Sequence, residues 1–285
     1  MPETINGFQL LRCVAETNTA EIYHALRLVG PGRGGEFALK VLRPEYAHDG
    51  EQRRYLENEY QVVRGLEHPN LIRVFGVELG AARPFLIMQF VPGPSLRDLL
   101  SRGPVRPGDG MGWLSQVADG LAHFHSRGYV HRDVKPQNML VGDDGIVRML
   151  DFALAVPQET SFGRYLVRRL RGRRRPGTWS YMAPEQIRNG RLTARTDIYA
   201  LGATLFEVVT GQLPFTAETP QELMEQHLRA RVPSLVSAWP DAPRELDDLV
   251  RRMMAKDPLD RPGDMGYVSM KLRQLSKTLM DSGAG

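Results

Sequence analysis

The run Asp197 to Gly211 (DIYALGATLFEVVTG) sets the strongest limit on the architecture. Apolar residues fall on almost every side of a helix drawn through it, so it has no face for water and must be enclosed by other elements. The second half of the chain is therefore a helical body built around a buried support. Leu246, Leu249, Val250 and Met253 mark one further helix by spacing, and Met265, Val268, Leu272, Leu275 and Leu279 mark another. Upstream, Ser95 is a predicted N-cap for Leu96 to Leu100. Met111, Leu114, Val117, Leu121 and Phe124 then recur at helical spacing before Gly128 stops the run. His123 and His125 lie two apart and point to different faces, which makes them ordinary helix residues and not a metal pair.

The first ninety residues follow a different rhythm. Phe8 to Val14, Ile22 to Leu28, Phe37 to Leu42, Leu71 to Glu78 and Phe85 to Phe90 read as strands, and Gly50 to Leu66 reads as a helix. Val29 to Gly35 is a glycine-rich connection. With 285 residues the chain can form one large domain or two lobes with real cores. A single cysteine, Cys13, excludes an internal disulfide and any multi-cysteine metal site. No apolar run is long enough to span a bilayer and Met1 to Gly7 carries no signal-peptide pattern, so cytoplasmic exposure is the default. If the chain is a domain of a longer protein, any membrane anchor lies outside these residues. Arg164, Arg168, Arg169, Arg171, Arg173, Arg174 and Arg175 lie close together, and without them the net charge of +4 would be −3. The basic character is local and does not describe a nucleic-acid-binding body. That segment is either a solvated loop or a docking point for an acidic or phosphorylated partner.

Between the helices lies His131-Arg132-Asp133-Val134-Lys135-Pro136-Gln137-Asn138, a carboxylate, an ammonium and an amide at fixed offsets. A phosphoryl-transfer site needs those three groups: a proton acceptor, a cation for the transferring phosphate and an oxygen ligand for a metal. Met139 to Val141 and Ile146 to Leu150 follow as a hairpin turning through Asp143-Asp144-Gly145, and Asp151-Phe152-Ala153 comes directly after it.

The octapeptide resembles the catalytic loop of eukaryotic-type protein kinases, of the bacterial Hanks-type Ser/Thr group, and other family motifs stand in the family's order. Phe37-Ala38-Leu39-Lys40 resembles the strand whose Lys contacts the α- and β-phosphates of ATP, and Glu59 stands at its partner's position, with Glu57 a weaker candidate. Met88-Gln89-Phe90-Val91 resembles the hinge, where backbone groups of Gln89 and Val91 bond adenine with Met88 behind them. Ile22, Ala38 and Leu140 are implied to sandwich the ring, although core packing explains each equally well. Asp151 and Asn138 are the implied metal ligands, Asp133 the proton acceptor and Lys135 its Ser/Thr-type companion. Asp151 to Glu185 matches the activation segment, closed by Ala183-Pro184-Glu185, with Thr178 near the catalytic pair. Thr160, Ser161, Tyr165, Thr178 and Ser180 are candidate phosphoacceptors, and Arg132 is a candidate partner for a phosphate there. Asp197 is implied to hold the catalytic loop's backbone, and Arg261 to pair with Glu185.

The resemblance implies an α+β, bilobal protein-kinase-like fold. A small lobe, residues 1–91, has a five-stranded antiparallel sheet and one helix and binds nucleotide; a larger, mainly helical lobe, residues 92–285, carries catalysis and docking. It implies ATP and Mg²⁺, with Mn²⁺ as a substitute, and a protein substrate with a Ser or Thr acceptor, the chain itself included. Two departures stand out. The phosphate-covering loop has Ala15, Thr17 and Ala20 where the family has glycine, and Ala153 replaces the glycine of Asp-Phe-Gly. Glycine lets backbone amides approach phosphates closely, so weaker ATP binding is expected. A pseudokinase acting as a nucleotide-binding or scaffolding module is the alternative. A small-molecule kinase of the aminoglycoside type would lack Ala183-Pro184-Glu185.

Overall fold

The computed structural model describes residues 3–158 and 178–281. The arginine-rich stretch Arg164 to Arg175, together with Thr160, Ser161 and Tyr165, lies outside the described residues, as does the side chain of Thr178. The chain divides into two compact units. The first is Met1–Pro92 with Asp151–Ala155, and the second is Gly93–Leu150 with Val156–Gly285.

The first unit is built on one antiparallel sheet, in the order β1-β2-β3-β4-β6-β5. Its strands are β1 (Thr4–Ile5), β2 (Phe8–Glu16), β3 (Ala20–Arg27), β4 (Glu36–Leu42), β5 (Val74–Glu78) and β6 (Phe85–Gln89). The helix α1 spans Gly50–Val63 and starts on the Asp49 carboxylate, which accepts from the backbone N–H of Glu51 and Gln52. The sheet has six strands, not the five expected. The additional strand is two residues long, too short for a period-2 pattern, and forms because Asn6 (φ 39°) and Gly7 (φ 84°) turn the chain back onto Phe8.

Register decides which side chains share a face. Ile22 lies opposite Lys40, His24 opposite Ala38, Ala38 opposite Met88 and Lys40 opposite Leu86, so these six share one face. The other face carries the core: Phe8, Leu10, Ala25, Leu39, Val41, Phe85 and Ile87, with Phe8 edge-on to both Phe37 and Phe85.

In the second unit, α2 (Leu96–Arg102) begins with a reciprocal cap. Ser95 Oγ accepts from Asp98 N–H at 3.1 Å and Asp98 accepts from Ser95 N–H at 3.0 Å. Next come α3 (Pro107–Ser126), the short strand β7 (Tyr129–Val130), the hairpin β8 (Met139–Val141) and β9 (Val147–Met149), and β10 (Val156–Pro157), which pairs with β7. The remaining helices are α4 (Pro184–Ile187), α5 (Ala194–Thr210), α6 (Pro220–Arg229), α7 (Arg244–Met253) and α8 (Met265–Asp281). The apolar helix is α5. It is buried from Thr196 to Val209, and Gly211 ends it in the left-handed conformation (φ 72°) that glycine adopts without penalty. Helix α8 lies close on α3: Ser276 Oγ donates to Gly108 O at 2.8 Å and Ser269 Oγ to Ser115 O at 3.1 Å. No helix among the described residues is long and apolar enough to cross a membrane.

Candidate active site

Two sets of polar residues are assembled, one in each unit. In the first, the sheet delivers Lys40 and α1 delivers Glu59. Lys40 Nζ donates to Glu59 Oε2 at 2.7 Å and to Asp151 Oδ1 at 2.9 Å. Glu59 is buried, whereas Glu57 faces solvent. Burial alone would lower the pKa of Lys40, but the Asp151 and Glu59 carboxylates outweigh it and raise the value, so the ammonium stays charged. Burial pushes Glu59 up to about 7, against the pull of Lys40 and with the repulsion of Asp151. Asp151 itself sits at φ +60°, a left-handed conformation that short polar side chains tolerate better than most. Ala153 is not among the positive-φ residues, so the methyl group that replaces glycine is unstrained in this arrangement.

The tip of the β2–β3 hairpin is braced from within. Thr17 N–H donates to Ala20 O at 2.7 Å, while Thr17 Oγ1 accepts from Ala20 N–H at 2.8 Å and from Thr19 N–H at 3.4 Å. Arg43 holds the same tip from β4's end: its Nε donates to Thr17 O at 3.0 Å, its Nη2 to Glu16 Oε2 at 2.6 Å and its backbone N–H to Thr19 O at 2.9 Å. The backbone amides of residues 17, 19 and 20 are thus engaged inside the loop. Ala15 lies opposite Ile22 at its base. Ile22, Ala38 and Met88 share the Lys40 face, while Gln89 lies opposite Phe37 on the core side. Val91 also belongs to this unit. Leu140 belongs to the second, in β8 opposite Arg148.

The second set is the octapeptide. Asp197, fully buried at the start of α5, accepts from the backbone N–H of His131 and of Arg132, each at 2.8 Å, and lies 2.8 Å from His125 Nε2. Burial tends to raise its pKa, but the hydrogen bond and electrostatic pull of His125, the electrostatic pull of His131 and the Arg132 amide lower it on balance. Arg132 sits at φ +72°, unusual for a long side chain, and is pinned from both ends: its N–H by Asp197 and its carbonyl by Gln186 Nε2 at 3.1 Å. His131 fixes the next turn, accepting from Asp133 N–H at 3.3 Å on Nδ1 and meeting Leu150 O at 3.1 Å through Nε2. Asp133 Oδ2 then accepts from Lys135 Nζ at 2.7 Å and from Asn138 Nδ2 at 3.0 Å. Asn138 Nδ2 also donates to Asp133 O at 2.8 Å. Asp133 Oδ1 takes part in no hydrogen bond among the described residues.

Further along, Glu185 and Arg261 form a buried two-pronged pair at 2.7 and 2.9 Å. Arg97, Tyr181 and Glu207 form a third cluster, with Tyr181 O–H donating to Glu207 Oε2 at 2.5 Å and Arg97 Nη2 reaching both. Sequence reasoning missed that cluster, Gln186 and the Arg43 brace. Each is a polar side chain whose partner lies far away in sequence, so no local spacing announces it.

Each unit offers an oxygen donor of the kind a hard divalent cation takes. In the second, the Asn138 amide nitrogen is spent on Asp133, which leaves its oxygen as the available ligand; in the first, Asp151 offers a carboxylate. Among the described residues no group of three or more His, Cys, Asp or Glu could hold a metal alone. An ion of the Mg²⁺ type takes one or two protein oxygens and completes its shell with phosphate and water, so donors of this kind and number suit it.

Comparison with known proteins gives the family. The family model "Protein kinase domain" matches residues 19–273. The Ser/Thr-protein kinase PrkC of Bacillus subtilis is 31% identical over 255 residues, covering 89% of this chain and 38% of the relative. The Ser/Thr-protein kinase PknL of Mycobacterium tuberculosis is 34% identical over 273 residues, covering 93% of this chain and 65% of the relative. This chain therefore spans less than two thirds of either relative's length. Among solved structures, a mutant of the PknI kinase domain from Mycobacterium tuberculosis superposes with a TM-score of 0.72 at 25% identity, covering 96% of this chain and 97% of that one. With the fold, the ordered motifs and these matches in agreement, the chain belongs to the protein kinase domain family.

Proposed function

We propose that the chain transfers the γ-phosphoryl group of ATP to Ser or Thr hydroxyls of protein substrates and of itself. Use of ATP and a divalent metal, and of protein substrates, goes with the family; Mg²⁺, with Mn²⁺ as a substitute, is the ion proposed here. The observation that carries the reading is the asymmetry of Asp133. Lys135 and Asn138 both bond Oδ2, so the carboxylate is held in one orientation with Oδ1 open to accept a proton from an incoming hydroxyl. Lys135, charged and fixed beside that carboxylate, is suited to stabilise charge on the phosphoryl group in transit. In the first unit Lys40, kept protonated by Asp151 and Glu59, binds the α- and β-phosphates. Asp151 and Asn138 are the proposed metal ligands. The bound metal supplies charge neutralisation at the phosphate oxygens. Ile22, Ala38, Met88 and Leu140 are proposed contacts of the base, with Gln89 and Val91 as the backbone partners. Asp197 positions the loop, Glu185 and Arg261 support the segment that docks substrate, and Arg132 and Thr178 are proposed to order it.

A second reading, a nucleotide-binding or scaffolding module with weak turnover, has one observation behind it: the β2–β3 tip spends its amides on itself. Labelled ATP with Mg²⁺ separates the two. The wild-type chain should label itself and a generic basic protein, and Asp133→Asn should reduce the label by about a thousandfold, as expected when a general base is removed. Equal labelling by both would end the kinase reading. A nucleotide-dependent rise in melting temperature without transfer would favour the second.

A further inference from the structure

Asn58, the residue before Glu59 on α1, has no part in the roles above, yet its side chain reaches ninety-five and ninety-seven positions along the chain. Its Nδ2 donates to Ala153 O at 3.0 Å and to Ala155 O at 3.2 Å. Glu59, the next residue, accepts from Lys40 Nζ at 2.7 Å, and Lys40 donates in turn to Asp151 Oδ1 at 2.9 Å. The segment closes on itself where Ala155 N–H donates to Phe152 O at 3.0 Å, and Phe152 is fully buried. Asn58 on α1 therefore holds the main-chain carbonyls of 153 and 155, just after Asp151.

That anchoring matters because of how Asp151 is placed. Its backbone lies at φ +60°, a conformation that a non-glycine residue keeps only when its surroundings over-determine it. The carboxylate is tied to α1 on one side through Lys40 and Glu59, and the main chain that follows it is tied to α1 on the other by Asn58. With alanine and not glycine at 153, the segment has fewer alternative conformations to relax into if those bonds are lost on one side only. An amide at 58 is the right group. It offers two donors on one nitrogen to two carbonyls, whereas a carboxylate offers none.

Resting on the kinase reading, we propose that Asn58 is a positioning residue for metal binding: it holds the 152–155 main chain against α1 so that Asp151 presents its carboxylate to the metal. Metal affinity and the docking of α1 then rise and fall together.

The test uses the whole chain and three variants. Asn58→Leu keeps the side chain's shape and removes both donors, Asn58→Asp replaces donors with a charge, and Asn58→Gln restores a donor on a longer stem. ADP binding is measured by calorimetry across a Mg²⁺ titration and again in excess chelator. The expected result is that the half-saturating Mg²⁺ concentration rises about fivefold or more in Asn58→Leu and further in Asn58→Asp, with partial recovery in Asn58→Gln. Binding in chelator should change by less than about twofold, and hydrogen exchange at amides 152–156 should speed up. An unchanged Mg²⁺ midpoint in Asn58→Leu, or an equal loss in chelator, would overturn the proposal by reducing Asn58 to a structural tie. Because the readout is binding, a chain that transfers no phosphate but keeps this pattern would sink the kinase reading and leave Asn58's role standing. A wild-type chain that binds ADP no better with Mg²⁺ than in chelator would sink both.

Discussion

On the proposed function the β2–β3 tip covers the phosphates with Thr17 at the second of its glycine positions, and the effect of Thr17 comes from its hydroxyl more than from its bulk. Oγ1 takes the amides of Thr19 and Ala20, the groups that a glycine loop leaves for phosphate. Restoring glycine at 15, 17 and 20 is expected to lower the KM for ATP, and Thr17→Gly alone should supply most of that effect. A backbone donor released to a ligand is worth on the order of 1 kcal/mol, or about fivefold in affinity. Thr17→Val, which keeps the β-branch and loses the acceptor, should move in the same direction. Initial rates against ATP concentration give the answer, and unchanged KM values in all three proteins would remove the loop from any account of nucleotide affinity. The sequence shows that the glycines are missing. It does not show that a threonine among their replacements consumes the amides, because that depends on how Thr17 to Ala20 turn.

Among the elements, α1 illustrates what could and could not be read from the chain. Its position is visible in the helical pattern from Gly50 to Leu66, although its cap on Asp49 is not, and the pairing of Lys40 with a glutamate is visible in the family's order of motifs. That Glu59 rather than Glu57 meets Lys40 needs the helix's rotation against the sheet, and Asn58's reach to residues 153 and 155 needs the tertiary fold. Strands with a clear alternation were legible, but β1 was not, since two residues carry no period. Glu59 also gives this element a pH signature. Its pKa is about 7 in the folded chain and near the ordinary 4.5 when unfolded, so the folded state holds an extra proton between those values. The associated stability is fully present below about pH 4.5 and is lost as pH rises through about 7. The slope reaches at most roughly 1.4 kcal/mol per pH unit. Urea midpoints of the nucleotide-free chain should show this component, and Glu59→Gln should lack it. Parallel pH profiles for the two proteins would mean that the Glu59 carboxyl is not raised.

On the scale of the molecule, the segment Asp151–Ala155 belongs to the first unit although its neighbours in sequence belong to the second, so the segment proposed to hold the metal shares a body with Lys40 and α1. No periodicity predicts that, since it follows from hydrogen bonds to residues almost a hundred positions away. The second unit has a pH dependence of the opposite sign. His227 on α6 is fully buried, 2.8 Å from the Tyr199 hydroxyl on α5 and edge-on to Phe215 at 5.0 Å. Lys256 Nζ stands over the same Phe215 ring at 4.5 Å and donates to His227 O at 2.8 Å. Burial, reinforced by the Lys256 charge, lowers the His227 pKa to about 3, while burial followed by Arg261 and Arg188 lowers Lys256 to about 8. A histidine depressed from about 6.5 contributes stability that is complete above pH 6.5 and lost as pH falls toward 3. Spread over that interval the loss is roughly a few kcal/mol, enough to make this cluster a leading site of acid unfolding. His227→Phe should lose about 1 kcal/mol at pH 7 with the Tyr199 hydrogen bond, yet its melting temperature should fall less than the wild type's between pH 7 and pH 4.5. In that range Glu59 works in the other direction, so the His227→Phe comparison is best repeated in a Glu59→Gln background, where the acid-side loss of the parent should be steeper and the difference made by the imidazole should be the same. If the wild type and His227→Phe lose stability in parallel in both backgrounds, the imidazole is not the group that titrates.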